Sequence, residues 1–208
     1  MTTPSAFRRT VMDVIARALV ASLFAMLSLN LWGDFVRTAR VTGLLLLVSE
    51  ALVVVLTIVR RRTEIVDRTA GAAVVTAASV VGPALLRAVP DRALVPDALT
   101  AIVSVVGLIA VIAGKVTLGR SFGIAPANRG VVVRGPYGIV RHPIYAGYVM
   151  THVAFACAYP TAWNLIVLAA TDAALVLRAL CEERVLLRDW SYQRYCRRVS
   201  WHLLPGLF

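Results

Sequence analysis

Two polar stretches of this chain gather residue types that do chemistry. The first contains Gly135-Pro136-Tyr137-Gly138-Ile139-Val140-Arg141-His142-Pro143-Ile144-Tyr145-Ala146-Gly147. Glycine and proline set tight turns with unpaired backbone, which binds a ligand only where protein or water satisfies it. Pro143 fits the first turn of a helix, so Arg141 and His142 fall at a helix N-terminus. Taken alone, that pair reads equally well as snorkelling interfacial residues. The second stretch, Arg178 to Phe208, offers Arg178, Glu182, Glu183, Tyr192 and Tyr195. Arg178 and Glu182 are four apart, hence on one helix face; the plain alternative is a solvated charged helix. Cys157, Cys181 and Cys196 lack metal-ligand spacing and read as packing residues, so no metal is expected.

Apolar helices must position these stretches. The chain has 208 residues, 59% hydrophobic, with 22 Lys plus Arg against 11 Asp plus Glu and a net charge of +11. A nucleic-acid binder gathers its basic residues on one face beside a folded core. Here they punctuate apolar runs, which argues against nucleic acid and for a lipid bilayer. Val41 to Val59 carries one charge, Glu50, and has about the length that a ~30 Å hydrocarbon core requires. Apolar segments can be drawn at 14–32, 41–59, 69–86, 94–118, 144–158 and 162–177. Tyr159-Pro160-Thr161 joins the last two as a helical hairpin, because proline stops one helix and starts the next. If the hairpin folds back, the two polar stretches meet at its base.

With the N-terminus inside, sixteen arginines fall in inner segments and four in outer loops, the asymmetry expected when both termini are cytoplasmic. No convincing cleavage site follows Arg8 and Arg9, so the first segment reads as an uncleaved span. The arginine-rich composition reads as bacterial, which implies a plasma membrane. The expected architecture is an all-α, polytopic membrane bundle of about six spans. It forms a single domain, with N-terminal helices over 1–113 and a catalytic region over 114–208. Small residues four apart, Ala78/Gly82 and Ala110/Gly114, let helix backbones approach closely. Glu50, His152 and Asp172 lie at depth, where ionisable groups need a function or a partner; His152 and Asp172, on the two hairpin arms, are expected to form a clasp, the alternative being part of a lipid tunnel. Lys115 reads as an interfacial anchor.

The first string resembles the GxYxxxRHPxYxG pattern of the isoprenylcysteine carboxyl methyltransferase family. The matching residues are Gly135, Tyr137, Arg141, His142, Pro143, Tyr145 and Gly147. Leu118-Gly119-Arg120-Ser121-Phe122 is similar to the loop ahead of that pattern. Arg178, Glu182, Glu183, Leu186, Tyr192 and Tyr195 resemble the family's second motif. Asp189 and Val199-Ser200 depart from the family's usual Gly and Val-Pro. The resemblance implies S-adenosyl-L-methionine as cofactor, S-adenosyl-L-homocysteine as product, and a lipophilic or lipidated acceptor. It further implies that Glu183 meets the cofactor's amine while the Arg141-His142-Pro143 turn and Tyr145 hold the rest. A carboxylate acceptor would be oriented by Arg178, itself held by Glu182; an amine or hydroxyl acceptor would use Glu182 as base. The tail, Leu203-Leu204-Pro205-Gly206-Leu207-Phe208, also looks like that of membrane sterol reductases, so an NADPH-dependent lipid reductase is the rival reading. A non-catalytic scaffold or small transporter is a second rival. Oligomeric state is not legible in the sequence.

Overall fold

The computed structural model describes residues 4–48, 51, 67, 69–89, 93–121, 126, 128 and 130–207. Glu50, Phe122, residues 52–59 of the second apolar segment and the arginines at 60–62, 68, 92 and 129 lie outside them. All regular structure among the described residues is helical. Helix α1 spans Pro4–Thr38, α2 covers 41–48, and α3 spans Ala70–Val81 and runs into a 3-10 turn at Gly82–Leu85. Then follow α4 (Asp97–Leu118), α5 (Pro143–Ala158), α6 (Ala162–Leu186) and α7 (Trp190–Cys196).

Each apolar segment coincides with a described helix, the second only in part. Helices α4 and α6, with 22 and 25 residues, are long and apolar enough to cross a membrane. The hairpin forms where Pro160 was expected to make it. Thr161 caps α6 by accepting from the Asn164 N–H at 3.2 Å, while Pro143 opens α5. Helix α6 continues past the apolar segment, which ends at Leu177, to Leu186, as a shared helix face for Arg178 and Glu182 requires. Its last turns therefore carry Arg178, Glu182 and Glu183 as a rigid extension of the hairpin.

Helix α5 packs along α4, and α6 along α3. Close approach depends on missing side chains. A Cβ on Gly114 would stand 2.6 Å from Ile144 Cγ1, and one on Gly107 would stand 2.7 Å from the Gly147 carbonyl oxygen. Gly82 likewise admits Thr171 of α6. At the hairpin tip, the buried Tyr159 hydroxyl donates to Asp34 of α1, and Asn164 bonds both backbone groups of Arg87 at 3.0 and 2.9 Å. These contacts fix the end of the hairpin remote from the polar motifs.

His152 and Asp172 do face each other. His152 Nδ1–H donates to Asp172 Oδ1 at 2.6 Å, with the imidazole 1% exposed and the carboxylate side chain 25% exposed. Removing one member of a buried pair strands the other in a medium that cannot solvate it. Asp172→Ala should therefore lower stability by about 3 kcal/mol, the low end for such a break because the carboxylate is partly exposed. Thermal unfolding in detergent reads this, and an unchanged midpoint would reject the clasp.

Candidate functional site

At the other end of the hairpin the two motif stretches converge. The Gly135–Gly138 3-10 turn precedes α5, and Gly135 takes the left-handed conformation (φ 60°) with Thr117 of α4 just beneath it. After the turn, Arg141 and His142 precede Pro143. Facing them are the last turns of α6. The Tyr145 hydroxyl donates to Glu182 Oε2 at 3.0 Å, and His142 Nε2–H donates to Glu183 Oε1 at 3.1 Å. The His142 and Tyr145 rings stack, centroids 5.5 Å apart and 8° from parallel.

His142, Tyr145 and Glu182 help to wall a cavity that is partly open to solvent. Of the residues singled out from the sequence, Tyr137, Arg141, His142, Tyr145 and Glu182 line it, with Tyr192 and Tyr195 from α7. Leu118, Ile144, Leu186 and the loop residues Val131 and Val132 give it an apolar side.

The remaining motif residues stand outside that wall. Pro143 is the first residue of α5. Gly147 faces α4, where a Cβ would stand 2.5 Å from the Gly107 carbonyl oxygen. Arg178 is buried, one turn of α6 deeper than Glu182. Its guanidinium lies 5.3 Å from the Tyr145 ring centroid and donates to Ser79 Oγ of α3 at 3.3 Å. Glu183 sits behind the wall. His142, Arg141 and His202 converge on its carboxylate at 3.1, 3.4 and 3.2 Å.

Arg141 is spent largely on the chain's own tail. Its Nε–H donates to the Val199 carbonyl at 2.7 Å and Nη2 to that of Cys196 at 3.2 Å. The backbone N–H groups of Arg141 and His142 donate to the Trp201 and His202 carbonyls at 2.9 and 2.8 Å. Sequence reasoning missed His202 and Ser79 as neighbours of the motif. His202 sits in a tail with no repeating pattern, and Ser79 in an apolar helix far away in the chain.

Burial, more than any neighbouring charge, pushes the Tyr137, Tyr192 and Tyr195 phenols well above the ordinary tyrosine range. They stay protonated at any working pH, so the cavity offers hydroxyl donors and ring faces and no phenolate base. Tyr195 uses its hydroxyl to donate to the Tyr137 carbonyl at 2.7 Å, tying α7 to the 3-10 turn. Asp189 caps α7, and the hydrogen bonds from Ser191 hold its carboxyl below the usual aspartate range.

Residues 95–193, from the start of α4 into α7, match the family model for phospholipid methyltransferases, a family shared with isoprenylcysteine carboxyl methyltransferases. No curated protein matches the chain. The family match supports the membrane methyltransferase family to which the two motifs pointed. With the two apolar helices it points to a membrane protein.

Proposed function

We propose that this membrane methyltransferase uses S-adenosyl-L-methionine in the motif-lined cavity to methylate a lipophilic acceptor, in the manner of isoprenylcysteine carboxyl methyltransferases. The observation that carries the reading is the convergence of His142, Tyr145 and Glu182 on one cavity at the end of a long apolar helix. The residues fit such a cofactor. Glu182 supplies a carboxylate for its amine, and the rings of Tyr137, Tyr192 and Tyr195 suit a cation. When bound, the cofactor supplies an electrophilic methyl group on a positively charged sulfur.

The division of labour we propose follows the geometry. Glu182, which lines the cavity, meets the amine, and Glu183 behind it holds His142 and the turn. Tyr145 fixes Glu182 by its hydroxyl bond. Arg178, against the inner face of the Tyr145 ring, orients an acceptor entering from the bilayer side through charge-assisted hydrogen bonds. Holding the two reactants aligned and dry accounts for much of the rate enhancement in reactions of this type, roughly 7–11 kcal/mol in favourable cases. We further propose that the site lies at the inner leaflet with both termini cytoplasmic.

The reductase reading is less well supported. A dinucleotide requires cations for its phosphates, and among the described lining residues Arg141 is the one guanidinium. Val199, Cys196 and Glu183 already engage it. Thermal unfolding separates the readings. At about 100 times its dissociation constant, S-adenosylhomocysteine should stabilise the protein by ~2.7 kcal/mol, Glu182→Gln should abolish most of that gain, and NADPH should give none. Stabilisation by NADPH alone would favour the reductase.

A further inference from the structure

We propose that His202, in the C-terminal tail, is a positioning residue for the cofactor cavity: its imidazole and that of His142 grip the Glu183 carboxylate from opposite sides. The inference rests on the reading of the cavity as an S-adenosylmethionine site. It concerns a part of the chain beyond the family match, which ends at residue 193.

The tail is built into the site. Two successive backbone hydrogen bonds join Arg141 and His142 to Trp201 and His202. Leu203 is buried in the cluster that contains Tyr145 and Tyr148. This register presents His202 Nε2 to Glu183 Oε2 at 3.2 Å, while His142 Nε2 holds Oε1 at 3.1 Å. Arg141 Nη1 spans both oxygens at 3.5 and 3.4 Å and approaches His202 Nε2 at 3.2 Å.

A glutamate's terminal torsion is broad and roughly two-fold, so His142 on Oε1 with the long Arg141 Nη1 contacts of 3.5 and 3.4 Å holds the carboxylate plane loosely. A second imidazole, 3.2 Å from Oε2, tightens that hold. The consequence passes to the cavity through His142, whose ring is bonded to Glu183 on one edge and stacked on Tyr145 on its face. His202 itself is absent from the cavity wall, so it acts through Glu183 and His142.

The requirement is for a donor at the position of Nε2, which a glutamine amide supplies and a phenyl ring does not. Calorimetric titration of the full chain in detergent with S-adenosylhomocysteine tests it. His202→Phe should weaken binding roughly tenfold, the equivalent of one charge-assisted hydrogen bond, and His202→Gln should stay within about threefold of the wild type. Equal affinity of wild type and His202→Phe would overturn the proposal, as would equal losses in His202→Phe and His202→Gln. Should His202→Phe not fold, His202→Asn, which keeps the amide but shortens its reach, replaces it with the same expected loss. A wild-type protein that binds no S-adenosylhomocysteine overturns the cofactor reading itself, a result separate from any difference among the variants.

Discussion

Arg141→Ala should abolish cofactor binding and free the tail. The arginine side chain is only 13% exposed and ties together Val199, Cys196 and Glu183. Removing it leaves the Glu183 carboxylate short of a cation and two carbonyls without donors. Breaking a buried charge network in this way costs about 3–5 kcal/mol, and a loss of that size at the cofactor site is at least a hundredfold in affinity. Lysine should rescue little, because a point charge cannot reproduce a planar fork that reaches three acceptors at once. Limited proteolysis of the tail and titration with S-adenosylhomocysteine read the two consequences. Wild-type behaviour of Arg141→Lys would show that charge alone suffices and would refute the clamp.

Gly147→Ala is expected to have a comparable effect by a wholly different route. The new methyl would stand 2.5 Å from the Gly107 carbonyl oxygen, 2.7 Å from Val111 Cγ2 and 2.9 Å from the Val111 nitrogen. Two of these are backbone atoms, so α4 must move away from α5. Overpacking typically costs about 1–3 kcal/mol, and the rigidity of the neighbours places this case at the upper end or beyond. Gly138→Ala is the control. There a Cβ would meet nothing nearer than the Val133 carbonyl oxygen at 4.0 Å, and the change should stay within about 0.5 kcal/mol. If the two variants unfold at the same temperature, Gly147 has no special place in the α4–α5 contact.

The Gly147 case shows where reading by motif runs short. Tyr145 and Gly147 belong to one conserved-looking pattern, yet residues two apart on a helix point about 200° apart at 3.6 residues per turn. One therefore faces the cavity and the other the neighbouring helix. Glu182 and Glu183 divide in the same way, about 100° apart. Which of them reaches the cavity depends on how α6 is rotated about its axis. That rotation is set by its packing on α3, including the Arg178 to Ser79 contact across 99 positions of chain. No local pattern encodes it.

Other features were plain in the residues. Pro160 placed the hairpin, and Pro143 placed the start of α5. The two motif stretches flank that hairpin, so their meeting at its base followed from connectivity once the arms folded back. The His152–Asp172 clasp was legible for the same reason, since two ionisable groups on opposite arms at depth in an apolar hairpin have each other as the nearest compensation. The polar last turns of α6 were legible too, since Arg178 and Glu182 four apart read as one helix face although the apolar run ends at Leu177.

Local chemistry, then, is what the residue order determined by itself: where the hairpin turns, which stretches are apolar enough for a bilayer, and which polar stretches meet at the hairpin's base. Turn residues, caps and hydropathy act over a few positions and need no distant partner. The tertiary structure decided orientation: Glu182 on the cavity wall with Glu183 behind it, Gly147 against α4, and a tail whose backbone register delivers His202 to the motif. These outcomes depend on helix rotation and on backbone hydrogen bonds between segments tens of residues apart, and only the packed chain specifies them.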